Sequence, residues 1–419
     1  MNNCLILFTN YYPYFKGEEY LESEIEYLSK NFNDIIIIST MVSSSMEQTR
    51  EIPANVKAFP IGINHSLIGK AKMFNSNLKK IFNDSEKKNY INIDCNNLIK
   101  KIYCYYFESR AIEVYKRVCD ILNNFKFSQY DDIKIYSYWL YITARVGIEV
   151  KNDYFKNISN KVTLISRAHR YDLYELNSPL KYLPERKFLL ENLNYIFPCS
   201  EDGVDELMRK YSKYSSKISV RRLGTVDKKV KSKTTNEILK IVSCSVVRKV
   251  KRLELIIDAL EVLEKNNIPY IWTHIGNGPE FDKIKKSAYR KLNSDNFNLV
   301  GYMKNIDVLK WYENNESTVF INVSSSEGVP VSIMEAISMG IPVIATNVGG
   351  TKEIVYDNVN GYILDKNFKN KELVKLLIDI KEMDLGKYRS MSYNARRIWE
   401  EKCDANKLYR DFANELVNL

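Results

Sequence analysis

Short, apolar-rich runs separated by longer stretches with helical spacing constrain this chain more than any other feature. Leu5–Phe8, Ile35–Ile38, Ile133–Tyr136, Val162–Ser166, Tyr195–Pro198 and Ile218–Arg221 read as strands, and Glu19–Lys30 as a helix with Leu21, Ile25 and Leu28 on one face. Strands this apolar must be covered on both faces, which points to a parallel sheet with helices on either side. The pattern breaks at VDKKVKSKTTNE, Val226 to Glu237, a polar and Lys-rich linker. It then restarts with strands at Leu239–Ser243, Tyr270–Ile275, Phe297–Val300, Val319–Val323 and Ile341–Ala345, and a helix at Leu253–Lys265. At 419 residues the chain exceeds one comfortable core. The expected class is therefore α/β with two doubly wound domains, 1–226 and 238–397, joined by 227–237.

Composition excludes several classes. Hydrophobic residues make up 45% and charged residues 27%, the balance of an ordinary globular protein. No apolar run is long enough to span a bilayer, and the first twenty residues lack the charged n-region and cleavage site of a signal peptide. Seven scattered cysteines without a C-x-x-C pair point to reduced thiols and a cytoplasmic setting, against a zinc site or disulfide framework. The net charge of +10 leaves anionic partners open. Within the mostly helical region 64–125, Lys70, Lys72, Lys79, Lys80, Lys87, Lys88, Lys100 and Lys101 interleave with Met73, Phe74, Ile81, Phe82, Leu98 and Ile99. That pattern suits either a solvated helix face or peripheral contact with an anionic membrane.

The stretch SSSEGVPVSIMEAISMGIPVIATNVGGTKEIV, Ser324 to Val355, carries the chemistry. Pro330 fits the first position of a helix, and Gly340-Ile341-Pro342 stops it. Small and polar residues before Pro330 leave the helix start accessible, where free N–H groups and the positive dipole end favour phosphate. Glu335 then lies roughly 7–8 Å further along the axis than the anion site, where it can accept hydrogen bonds from a sugar or ribose hydroxyl. A sugar nucleotide offers both groups, although glutamates around a helix start also serve as dipole complements on a solvated face. Arg248, Lys249, Lys251 and Arg252 form a cationic turn after the first strand of the second domain, suited to a pyrophosphate leaving group. A solvated turn would carry the same charges. His169 follows a strand of the first domain at the edge where α/β sheets bind ligands. Gly276-x-Gly278 alone is only turn geometry, and the third glycine of a dinucleotide fingerprint is missing. No GKS or GKT phosphate loop and no D-x-D flanked by strand residues is present.

The wording FINVSSSEGVPVSIMEAISMGIPVIATNVGG resembles the two-glutamate signature of the family four retaining glycosyltransferases, most of all a bacterial subgroup linked to capsule, colanic acid and lipopolysaccharide assembly. The resemblance implies a GT-B fold, with two facing Rossmann-like domains, an inter-domain cleft and the donor held mainly by the second. It implies that residues from about 398 to 419 cross back onto the first domain. It also implies site roles: Glu335 on the ribose, Glu327 with the Gly328, Val329, Pro330, Val331 and Ser332 backbone on sugar and phosphate. Lys251 matches the family lysine. The family arginine falls at Val246, so Arg248 would substitute from a shifted position. His169, in an AH-x-YD context, would steady the sugar, and Gly17 would lie near the diphosphate or acceptor, with Gly276 and Gly278 on the nucleotide side. The implied reaction is transfer from a UDP or GDP sugar to a saccharide or lipid-linked oligosaccharide, with retention and without metal or other cofactor. The alternatives are a non-hydrolysing sugar-nucleotide epimerase, which needs no acceptor, and a non-catalytic basic binding protein.

Overall fold

The computed structural model describes residues 2–15, 17–63, 66–95, 97–158, 160–178, 180–227, 229 and 238–419. Most of the expected linker, residues 228 and 230–237, lies outside the described residues. The chain divides into two compact units, Met1–Leu223 with Lys407–Leu419, and Gly224–Asn406.

In the first unit, six parallel strands run in the order β3-β2-β1-β4-β5-β6: β1 Asn3–Thr9, β2 Asp34–Ser39, β3 Val56–Pro60, β4 Asp132–Ser137, β5 Lys161–Ala168 and β6 Tyr195–Pro198. Every residue of β1 is buried, because β2 and β4 flank it and helices cover both faces. The β3 strand escapes the sequence pattern: VKAFP is half-exposed at the sheet edge and ends in proline, so it lacks an apolar run. Ile218–Arg221 forms no strand. It runs beside β6 with one bridge, Ile218 to Ile196, and bonds from Ser219 N to Ile196 O and Arg221 N to Pro198 O.

The basic region folds into three helices, Leu67–Asn83, Ser85–Asp94 and Leu98–Leu122. Ile81 is buried beneath them, and Phe74 and Phe82 pack on Tyr106 and Tyr105. Leu98, Ile99 and Ile102 remain 72%, 61% and 52% exposed around Lys100 and Lys101. No helix among the described residues is long and apolar enough to cross a membrane.

The second unit repeats the design in the order β12-β11-β10-β7-β8-β9, again parallel throughout. Its strands are β7 Leu239–Cys244, β8 Tyr270–Ile275, β9 Phe297–Gly301, β10 Val319–Asn322, β11 Val343–Thr346 and β12 Gly361–Leu364. The four-residue edge strand β12 is too short to announce itself in sequence. Ile398, Trp399 and Cys403 are buried in this unit, so the segment from 398 to 406 stays with it. The helix Ala405–Asn418 then places Phe412, Ala413 and Leu416 in the core of the first unit, beside Leu5, Leu7 and Tyr136.

Candidate active site

In the second unit the expected motif folds into a loop and a short helix at the carboxyl end of β10. The helix spans Val331–Ser338, with Pro330 as its N-cap at φ −75° and ψ 115°, one place earlier than its sequence suggested. Extended backbone at Pro330 lets its carbonyl take the first bonds, from Ile333 N at 3.1 Å and Met334 N at 3.2 Å. The N–H groups of Val331 and Ser332 precede that ladder. Ile333, Ala336 and Ile337 are buried, and Gly340 at φ +75° ends the segment. The Gly-Gly turn has a specific task. A side chain at Gly349, φ +53°, would come within 2.2 Å of the Glu327 carbonyl oxygen, and Gly350 N donates to Gly328 O at 2.9 Å. The turn therefore holds the Glu327–Gly328 backbone from below.

Lys251 and Glu327 come together as an ion pair, Nζ to Oε1 at 2.6 Å. Glu327 Oε1 also accepts from Asn322 Nδ2 at 3.2 Å, while Asn322 Oδ1 accepts from Ser324 N. Asn322 goes unnoticed in sequence; the only sign of it is a polar residue closing an apolar strand at its ligand-binding edge. Ser325 N donates to Val250 O at 2.8 Å and so ties the motif loop to the cationic turn. Of that turn, Arg252 is committed elsewhere. It adopts a left-handed backbone and donates to the carbonyls of Val323, Lys366 and Ser324. Arg248 and Lys249 are exposed.

Glu335 is 5% exposed and accepts a hydrogen bond from Asn305 Nδ2, a second residue that sequence reasoning does not single out. Burial pushes its carboxyl up to about 7, only partly offset by Asn305. Half-buried Cys244 and buried Tyr312 feel its charge, and their own acidities are weakened further by it. The carboxylate, the form that accepts two hydroxyls, therefore predominates only above about pH 7. Affinity for a ligand whose hydroxyls this carboxylate accepts should accordingly fall as pH drops from 8 to 6. The comparison with Glu335→Gln, titrated in parallel, checks this: an inflection near 7 present in both would belong to another group. Gly276 and Gly278 sit against the backbone after β7. A side chain at Gly276, φ +139°, would lie 1.9 Å from Ser245 O, so close packing demands glycine there. His274 is buried beside Ser243, Nδ1 to Oγ at 2.9 Å.

In the first unit, His169 caps the short helix Arg170–Leu173 just beyond β5. Its ring packs beside those of Tyr138 at 4.5 Å and Trp139 at 4.7 Å, with Nδ1 3.4 Å from Cys199 Sγ. Burial, with the Arg167 charge, holds the imidazole down to about 3, so it is neutral at physiological pH. Asp172 accepts from His169 N and Leu140 N, both at 2.5 Å, and thereby joins the ends of β5 and β4. Arg167 is not available to a ligand: it is fully buried against Glu24 at 2.9 Å. Gly17, at φ +100°, donates its N–H to Glu19 and receives Arg50 on its carbonyl.

Residues 226–398 match the family model described as glycosyl transferases group 1. The match covers nearly all of the second unit, which is thus similar to the group 1 glycosyl transferases. The chain is similar to the putative colanic acid biosynthesis glycosyltransferase WcaL of Escherichia coli, 24% identical over 57% of this chain and 60% of that one. It is also similar to the amylovoran biosynthesis glycosyltransferase AmsK of Erwinia amylovora, 27% identical over 36% of this chain and 38% of that one. The alignments thus span less than two thirds of these relatives. Among solved structures, Anabaena HepE in complex with UDP matches with a TM-score of 0.65 at 15% identity, over 100% of both chains. That likeness is one of fold, and the two six-stranded parallel sheets of this chain are those of the GT-B class.

Proposed function

We propose that the chain transfers a sugar from a nucleotide-diphospho donor, in its UDP or GDP form, to a saccharide acceptor carried on a lipid, in cell-surface polysaccharide assembly such as capsule, colanic acid or lipopolysaccharide. The observation that carries this reading is the Lys251–Glu327 pair, 2.6 Å apart at the start of the helix that bears Glu335. The second unit, as the donor domain, offers N–H groups and cations for the diphosphate and carboxylates for hydroxyls. Glu335 holds the ribose, while Glu327 and the backbone from Gly328 to Ser332 meet sugar and phosphate. Gly276 and Gly278 let the backbone approach the nucleotide. The first unit, with His169 and Gly17, selects and orients the acceptor side.

As the bond from the anomeric carbon to the diphosphate breaks, negative charge grows on the departing phosphate oxygen. Lys251 and Arg248 stabilise it, the task that a divalent ion performs elsewhere, so the reaction runs without metal. The acceptor oxygen bonds to the anomeric carbon on the same face, its proton passes to the departing phosphate, and configuration is retained. The neutral His169 contributes as a hydrogen-bonding group rather than a base. The enzyme works at the cytoplasmic side of the membrane, in peripheral contact through Leu98, Ile99 and Ile102, whose exposure beside Lys100 and Lys101 supports that placement.

Calorimetric titration with UDP, GDP and ADP, with and without magnesium, tests the reading. One diphosphate should bind equally well without magnesium, and Glu335→Ala should weaken it roughly 10- to 100-fold with the fold intact by circular dichroism. No binding of any of the three would sink the proposal.

A further inference from the structure

The loop after β1 contains an anion seat that the protein fills with its own side chain. Three consecutive backbone N–H groups, those of Asn10, Tyr11 and Tyr12, converge on the Glu18 carboxylate, each at 2.8 Å. A fourth donor, Trp139 Nε1, reaches it at 2.6 Å from the loop after β4. Each oxygen takes two donors: Oε1 accepts from Asn10 and Trp139, and Oε2 from Tyr11 and Tyr12. Successive N–H groups of this kind form a concavity suited to anions. Glu18 is buried, 6% exposed, and is held in the left-handed region at φ 59°, a conformation uncommon for a residue with a side chain. Such a backbone conformation persists only where the surroundings enforce it. Here four hydrogen bonds to one carboxylate do so.

The fourth donor links this seat to the neighbouring site. The indole that Glu18 grips is the one whose ring lies 4.7 Å from His169. We propose that Glu18 is a positioning residue: its carboxylate, seated in the Asn10–Tyr12 backbone, fixes the Trp139 indole against His169, and a small carboxylate ion can refill the seat when the side chain is removed. The proposal rests on the reading of His169 as a site residue only for its effect on turnover. The seat itself is independent of that reading. Together with Asp172, which bonds the loops after β4 and β5, Glu18 ties three adjacent strand ends together through buried carboxylates.

Two variants test this. In Glu18→Gln the shape is kept, but Trp139 faces either the NH2, and loses its acceptor, or a neutral amide oxygen in place of a carboxylate. In Glu18→Gly the seat is vacated, and glycine tolerates the left-handed backbone. The direct readout is the indole 1H–15N spectrum of the four tryptophans, with the Trp139 signal assigned by Trp139→Phe. In Glu18→Gln that signal should shift as its acceptor is weakened or lost, the other three should stay, and kcat should fall about 10- to 100-fold with donor KM held. In Glu18→Gly, added sodium formate should return the Trp139 signal and activity toward wild type, whereas sodium chloride at equal ionic strength should not. An unmoved Trp139 signal in Glu18→Gln, or a Glu18→Gly protein indifferent to formate, overturns the proposal. If Glu18→Gly does not fold, the Gln variant still decides. A wild-type protein with no transferase activity would count against the proposed function and leave the spectroscopic outcome intact.

Discussion

Lys251→Ala should lower turnover about 100- to 1000-fold at saturating donor and leave the melting temperature almost unchanged. Both halves follow from the geometry. A fixed donor aimed at charge that appears only in the transition state contributes on the order of 3–4 kcal/mol to the rate. The ammonium is held 2.6 Å from Glu327, at the place where the helix Val331–Ser338 opens its N–H groups. For stability, the same pair contributes little, since Lys251 and Glu327 side chains are 22% and 11% exposed and remain in contact with water. Lys251→Arg should recover only part of the loss, because a planar fork does not occupy the position of a compact ammonium. Steady-state kinetics with the diphosphate-sugar identified by calorimetry supplies the number. A loss confined to donor KM, with kcat intact, would make Lys251 a binding residue and remove it from the chemistry.

Glu24→Ala should destabilise the first unit by about 3–5 kcal/mol. Glu24 and Arg167 are both fully buried, their atoms 2.9 Å apart, and Tyr136 donates to the other carboxylate oxygen at 2.9 Å. Truncating the acid strands a buried guanidinium without a countercharge, leaving it Tyr136, the Arg221 carbonyl, Cys199 and the ring of Phe412. For a unit of this size the midpoint should fall by roughly 10 °C, at about 2–4 °C per kcal/mol. The transition of the second unit should stay where it is. Replacing both partners together, Glu24→Met with Arg167→Leu, should restore much of the stability, since no charge is then left unpaired. A single-variant shift below a degree or two in scanning calorimetry would mean that water reaches the pair.

Much of this architecture is legible in the sequence because its inner strands are apolar throughout. Ile35–Ile38 and Val319–Val323 leave no doubt about burial, and the polar break after Thr225 marks where one pattern ends. The edge strands β3 and β12 are not legible, because β3 is half-exposed with a lysine in its run and β12 is only four residues long. The helix of the motif announces its apolar face and its stop, and only the role of Pro330 is displaced by one position. Partners are harder. Nothing in the string says that Arg252 will satisfy three carbonyls while Lys251 faces a carboxylate, since both are cations in one turn. Asn305, Asn322 and Trp139 matter through contacts 30, 5 and 121 residues away in sequence, and such pairings come from topology. Glu18 stands beside Gly17 and reads there as one more loop acid.

The return of the last helix to the first unit bears on the order in which a ribosome delivers the chain. Domains made first commonly fold first, while the remainder is still being translated. Here that is only partly open to the first unit. Its sheet can assemble once Pro198 has emerged, yet Phe412, which lies 4.2 Å over the buried Arg167 guanidinium, is made more than two hundred residues later. Leu416, buried against the same layer, comes later still. Until then the nascent first unit shows an apolar groove where the helix Ala405–Asn418 will lie. Completion of its core therefore reports that the second unit has been synthesised, and a chain that stalls in between leaves that groove open to the cell's chaperones and proteases.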